Sequence, residues 1–258
     1  PVTEHPSIAG HPCVDQWIEL TTEGRIIVHT GKVDIGQRLS TALAIIVSEE
    51  LDVEFENIDV KPAQTGTAPD EGYTAGSMSM QQSGTAVRLA CATARRHLRT
   101  LAGRFLDVDP AQLQVEDGMV YHPGGGNRVT YESLLADGPF GIPVDMSAPV
   151  KDPATHVRIG RPVTAKGMAD IISGRTVFVH DIELPEMIHA RVVRPPNPNA
   201  KLQDLDRTTL QRLSEKGVSV IRDGSFVAVA STDEFAVVKA AERVAATACW
   251  TMETAPPA

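Results

Sequence analysis

Aromatic side chains are scarce, 4% of 258 residues, so the chain has little stacking surface for single-stranded nucleic acid. Cations are also in the minority, Lys+Arg 24 against Asp+Glu 33, and a net charge of -9 argues against a nucleic-acid backbone as partner. No run of roughly 18 apolar residues occurs, so no transmembrane helix is expected, and the Pro-rich N-terminus lacks the basic and apolar regions of a signal peptide. These absences predict a cytoplasmic protein; a periplasmic or membrane-associated complex is also compatible with them. Cys13, Cys91 and Cys249 lie far apart and none sits in a C-x-x-C pair, so neither zinc nor an iron–sulfur cluster is expected within the chain.

What is present supports a buried core, since 42% of residues are hydrophobic. Residues 17–20 and 25–30 read as a hairpin. A helix follows from Gln37 to about Leu51, with Leu39, Leu43, Ile46 and Val47 on one face, and then a short strand at 58–61. Ser79 with Gln82 three positions on forms a capping-box pattern for an Ala-rich helix reaching about Arg104. Three short strands at 113–116, 119–121 and 128–130 and a short helix at 131–136 come next, and residues 137–153 read as a linker. Beyond it, strands are expected at 176–180, 188–194, 218–221 and 226–230, with a helix at 232–246. The expected fold is therefore α+β, a mixed α/β chain with units at 1–153 and 154–258.

Two polar loops, 31–38 and 64–79, each run into a helix N-terminus, where unpaired backbone N–H groups and the positive end of the helix dipole suit an anionic ligand. Gln37 brings a carboxamide that donates and accepts without charge. A plain helix boundary with an exposed Gln explains Gly36-Gln37 as well, and a plain N-capped helix explains Ser79 and Gln82. Asp70 and Glu71 are adjacent acids in a Pro-containing loop, and such pairs are ordinarily solvated. Loop 64–76 has almost nothing to bury and has to be ordered by something outside itself.

Three strings carry a resemblance: Gly31-Lys-Val-Asp-Ile-Gly-Gln, its continuation from Thr41 to Val53, and Pro69-Asp-Glu-Gly-Tyr-Thr-Ala-Gly-Ser-Met-Ser. They resemble the molybdopterin-binding subunit of the xanthine dehydrogenase and aldehyde oxidase family, in its isoquinoline 1-oxidoreductase and nicotinate dehydrogenase branch. The stretch from Ser173 to Pro196 resembles that family's hammerhead domain, which implies a molybdopterin-binding part at 1–153 and a hammerhead-like domain at 154–258.

The resemblance implies that Gln37 approaches the oxo or hydroxo ligands of molybdenum, and that Gly36, Gly76, Ser77, Met78 and Ser79 line the pterin. No residue of this chain is expected to bind the metal directly. The family's usual Gly after the glutamine is Arg38 here, a cation that reaches the cofactor phosphate or a substrate carboxylate, or faces solvent. The family's Gly-x-Gly-Glu motif, with its essential glutamate, and its Gly- and Phe-rich loop are not in this sequence. The implied protein is thus a small split subunit that shares molybdenum–molybdopterin, the cytosine dinucleotide form being one option, with a larger subunit carrying the catalytic Glu. A 2Fe-2S subunit, and FAD, haem or cytochrome subunits, are the implied electron partners. The implied reaction hydroxylates an N-heteroaromatic ring, an aldehyde or a similar electrophilic carbon with water; hydration on the same cofactor, or a cofactor-free structural or assembly role, are the alternatives. His180 and His189 fall in strand patterns and read as ordinary hydrogen-bonded side chains.

Overall fold

The computed structural model describes residues 5–176 and 178–251, and it divides between Ser173 and Gly174 into two compact units. The architecture is α+β in both. Unit 1 opens with α1 (Pro6–Gly10) and the antiparallel hairpin β1 (Ile18–Leu20) and β2 (Ile26–Val28). Helix α2 (Leu39–Leu51) then returns the chain so that β3 (Ile58–Val60) lies parallel to β2. The antiparallel pair needs only a turn, whereas the parallel pair needs the helix as its crossover.

Behind this sheet a single turn of π-helix, Met80–Gly84, feeds α3 (Thr85–Leu106). Ala86, Ala90, Ala94 and Ala102 are fully buried along α3, and their small side chains let its backbone approach α2 closely. Trp17, Leu43, Leu51, Ile58 and Leu98 fill the core between the layers. The strands β4 (Gln114–Glu116), β5 (Met119–Tyr121) and β6 (Arg128–Thr130) form an antiparallel meander leading into α4 (Tyr131–Leu134). The Gly124-Gly-Gly stretch connects β5 to β6, as a hairpin turn.

Residues 137–153, expected as a linker, are built into unit 1. Val14 N–H donates to Ile142 O, Val144 N–H donates to Pro12 O, and the Asp15 carboxylate accepts from the amides of Phe140 and Gly141. Phe140, Val144 and Ala148 are buried. Proline and glycine removed the periodicity that would have marked this stretch as core, yet single apolar side chains anchor it. Residues 154–173, including α5 (Met168–Ile172), are also assigned to unit 1, so the structural division falls later than the expected join at 153/154. The cause is visible in α2, whose Glu49 carboxylate accepts the amides of Val157, Arg158 and Ile159.

Unit 2 is a three-stranded antiparallel sheet in the order β7 (His189–Val193), β10 (Phe226–Ser231), β9 (Ser219–Asp223). Helices α6 (Arg207–Ser214) and α7 (Glu234–Thr247) accompany it, each started by an aspartate, Asp206 or Asp233, whose side chain accepts the N–H three residues on. A two-stranded ladder joins β8 (Leu202–Asp204) to β11 (Cys249–Trp250). Val193, Val227, Val229, Val237 and Val244 are among the core residues. The two short strands β8 and β11 escaped the sequence reading because two or three residues carry no measurable period, and α6, at eight residues, spans barely two turns of one.

The strand expected at 176–180 does not form over its described part. Val179–Asp181 is a 3-10 turn, with Phe178 52% and Val179 82% exposed. Residue 177 lies outside the described residues. Strand propensity is expressed only where a partner edge and a face to bury exist, and these side chains have neither. His180 lies in that turn and His189 starts β7. Among the described residues no helix is long and apolar enough to cross a membrane, and no group of three His, Cys, Asp or Glu is placed to hold a metal ion.

Candidate functional site

Loops 31–38 and 64–79 are joined along a polar seam. Lys32, only 3% exposed, donates its ammonium to the carbonyls of Glu71 at 2.6 Å and Tyr73 at 2.9 Å. Thr74 Oγ accepts Val33 N–H at 2.8 Å. From the opposite direction the Glu71 carboxylate accepts Gly31 N–H at 2.9 Å and the hydroxyls of Ser83 at 2.8 Å and Thr30 at 3.2 Å. His11 Nε2 accepts Asp70 N–H at 2.7 Å. Loop 64–76 is therefore ordered by polar side chains of its own unit. Glu71, read from sequence as solvated, is instead an internal clamp, and its Oε1 is buried without a hydrogen-bond partner.

Gly31 is glycine for a steric reason. A Cβ there would stand 1.9 Å from the Pro69 carbonyl oxygen. The two loops approach too closely at this point for any side chain. Gly31→Ala is expected to part the seam and lower stability by about 1–3 kcal/mol, the usual penalty for forcing atoms into a packed site. A fall in Tm with new protease cleavage within 64–76 would support this; an unchanged Tm would refute it.

Gly36 and Gln37 lie exposed at the tip of the first loop. Gln37 Oε1 accepts Ile35 N–H at 2.7 Å and its Nε2 donates to Val33 O at 3.0 Å. The carboxamide is thus fixed in orientation by its own loop. One of its two N–H donors is spent on Val33, leaving the other for a ligand. Gly36 has φ +105 and Arg38 φ 60, so the chain makes its turn into α2 through two left-handed residues. Arg38 is half-buried and makes no ion pair among the described residues. The sequence reading overlooked Asp34, whose carboxylate accepts the amides of Gly36, Arg38 and Ser40 and the Ser40 hydroxyl, and so holds the loop at the head of α2.

Partial burial raises the Asp34 carboxyl pKa, but the hydrogen bonds from Ser40, Gly36 and Arg38 outweigh it and the net shift is downward. A depressed carboxylate pKa stabilises the fold above the unfolded-state value and loses that contribution as pH falls through the folded-state value. The 34–40 loop is expected to open in acid below the ordinary aspartate range. Amide exchange of Gly36, Arg38 and Ser40 should accelerate there in the native protein, and Asp34→Asn should show that fast exchange already at neutral pH.

Gly76 (φ +61) and Ser77 (φ +57) form a left-handed pair, exposed together with Met78, while Ser79 is half-buried. The expected capping box is absent. Ser79 already has helical torsions and makes no side-chain cap, and Gln82 Oε1 is buried without a hydrogen-bond partner. Ser79 fails as a cap because the helix begins as a π-turn, which moves the hydroxyl out of register with the first amides. Turns of this kind recur at functional sites. The structure thus seams the two loops together at Lys32, Val33, Glu71 and Thr74, and no hydrogen bond joins Gln37 directly to Gly76, Ser77, Met78 or Ser79 among the described residues.

A cleft of about 620 Å³ opens beside the seam, lined in part by His11, Gly31, Gln64, Asp70 and Glu71. Gly36, Gln37 and Gly76 to Ser79 lie outside it. Gly36, Gln37 and Gly76 to Met78 are exposed, as are the large apolar side chains of Val33, Ile35, Tyr73 and Met80, Tyr73 to 94%.

Residues 5–159 match the family described as Molybdopterin cofactor-binding domain. Among curated proteins, the B subunit of nicotinate dehydrogenase from Pseudomonas putida is 30% identical over 88% of this chain and 20% of its own length. The gamma subunit of the 6-hydroxypseudooxynicotine dehydrogenase complex of Paenarthrobacter nicotinovorans is 34% identical over 51% of this chain and 17% of its own. The beta subunit of isoquinoline 1-oxidoreductase from Brevundimonas diminuta is 26% identical over 74% of this chain and 29% of its own. The chain spans less than a third of the length of each of these relatives. It belongs to the molybdopterin cofactor-binding domain family, among the molybdopterin-binding subunits of the xanthine dehydrogenase and aldehyde oxidase group.

Proposed function

We propose that the exposed lip formed by Gly36, Gln37 and Gly76 to Ser79 is one wall of a molybdopterin cleft in a multi-subunit molybdenum hydroxylase. The observation that carries this reading is the Gln37 carboxamide, held by Ile35 and Val33 with one donor left over, in a chain whose family binds this cofactor. Two features fit the group. The helix beginning at Met80 has no side-chain cap, so its first amides suit a phosphate. Gly76 and Ser77, small and exposed, allow a flat ring system to lie against the backbone.

When bound, the molybdenum cofactor would supply the two-electron redox chemistry. Within this chain, Ser77 and Ser79 would hold the pterin through hydroxyl and amide groups, and Met78 would cover one ring face. Gly36 gives the loop its turn, and Gln37 would donate a hydrogen bond to oxygen at the reacting centre. The acid/base glutamate comes from polypeptide outside these residues, a partner subunit in this reading, and electrons pass on to a 2Fe-2S subunit. The names of the relatives point to nicotinate and isoquinoline, which favours an N-heteroaromatic substrate hydroxylated with oxygen from water. In this reading unit 2 is the hammerhead-like domain.

The test is to purify the chain with the polypeptides that accompany it and assay molybdenum and pterin. Both are expected near stoichiometry, with label from heavy-oxygen water entering the product as electrons are released. A complex without metal and pterin would overturn the reading. Label uptake without electron output would replace hydroxylation by hydration.

A further inference from the structure

A groove between α6 and α7 in unit 2 encloses about 450 Å³, a size typical of small-ligand pockets. Buried Leu213, Val218 and Ala240 make its floor apolar. Its walls carry Arg212, Lys216, Lys239 and Arg243, and no Asp or Glu lines it. This concentration of cations stands out in a chain of net charge -9.

Lys239 pairs with Glu242 at 3.0 Å. Arg212, Lys216 and Arg243 have no ion-pair partner among the described residues. Asp206, the acid that feels Arg212, spends its carboxylate capping α6 at Thr209 N–H. Lys239 and Arg243 are four residues apart within α7, where like charges repel and weaken a helix, and Arg212 at the end of α6 and Lys216 in the turn after it add two more cations to the same groove. Stabilisation of a helix C-terminus accounts for Arg212 in the last turn of α6. It does not account for Lys239 or Arg243, because the last turn of α7 holds no basic residue. Repulsion of this kind is relieved by a bound anion, and the floor selects one with an apolar body.

We propose that this groove binds a small organic anion of at least two negative charges on a compact apolar body, an aryl phosphate or aromatic dicarboxylate. A monoanion would leave most of the rim unneutralised, and a bare inorganic anion would leave the floor wet. The site is independent of the lip in unit 1.

The probe is phenyl phosphate, titrated into the full chain by calorimetry and by amide NMR. Saturable binding that shifts amides of α6 and α7 is expected, weakened by salt. Arg212→Gln/Arg243→Gln should weaken it at least tenfold, and Lys216→Gln/Lys239→Gln should do so independently. All four side chains are exposed, and an unchanged circular dichroism spectrum and Tm will establish that the variants fold. Inorganic phosphate, which lacks the body, and benzyl alcohol, which lacks the charge, should each bind at least tenfold more weakly than phenyl phosphate. Absence of saturable binding, equal binding to the variants, or equal affinity for inorganic phosphate would overturn the proposal. So would polyglutamate occupying the groove without being displaced by phenyl phosphate, since the groove would then serve an acidic polypeptide.

Discussion

Glu50→Ala is expected to lower the stability of unit 1 by about 3–5 kcal/mol, the cost of stripping one partner from a buried ion-pair network. Glu50 is fully buried near the end of α2. Its two oxygens accept from Arg88 Nε at 2.9 Å, from Arg95 at 2.6 Å, and from Lys151 N–H at 3.1 and 3.2 Å. The same two guanidiniums also donate to the carbonyls of Lys151 and Pro149. One carboxylate therefore ties α2, α3 and the segment near 150 together, and its removal leaves two cations facing each other in a site largely closed to water. Arg88 remains 28% exposed along its side chain, which places the loss at the lower end of that range. Glu50→Gln keeps the volume and one acceptor and should cost less. Urea unfolding followed by Trp17, fully buried in unit 1, measures the effect, with Trp250→Phe removing the signal from unit 2. A loss below about 1 kcal/mol would mean that the arginines rehydrate without harm, as surface pairs do.

Gln37→Ala is expected to lower kcat of the assembled, cofactor-loaded enzyme by roughly 10²–10³, the range found when one preorganised donor to developing charge is deleted. The side chain is exposed and its hydrogen bonds stay within loop 33–37, so Tm should barely move. In the proposed reading the spare N–H serves the reacting centre and not substrate capture, so the loss should fall on kcat more than on KM. Gln37→Glu, which keeps the shape but removes the donors, should be nearly as damaging. Full turnover by Gln37→Ala with metal retained would remove that side chain from the chemistry. Loss of pterin together with turnover would instead make it a cofactor-holding residue.

Much of the architecture was legible in the sequence. The hairpin, α2, β3, the long Ala-rich α3, the β4–β6 meander, β7, β9, β10 and α7 all follow from period and turn residues, because each buries a regular face. The family was legible too, through Gly31 to Gln37 and Pro69 to Ser79. What escaped were features whose cause lies far along the chain. Glu49 and Glu50 look like a solvated helix end until the amides of 157–159 and the guanidiniums of α3 are brought to them. Glu71 looks like a loop acid until Thr30, Gly31 and Ser83 converge on it. Ser79 and Gln82 match a capping box by spacing alone, yet the π-turn puts them in other places.

The opening loops show the division most plainly. Sequence by itself determined that two polar, glycine-containing loops end at helix starts and that Gln37 is the uncharged donor there, since these depend on residue type and local spacing. Only the tertiary structure decided that the loops form one seam, that buried Lys32 and Glu71 hold it, and that Gln37 keeps a donor free. The seam is an outcome of long-range polar satisfaction, in which Lys32 and Glu71 take their partners where the fold delivers them, whereas the Gln37 donor is left over by the backbone course of its own loop, which residue type does not fix.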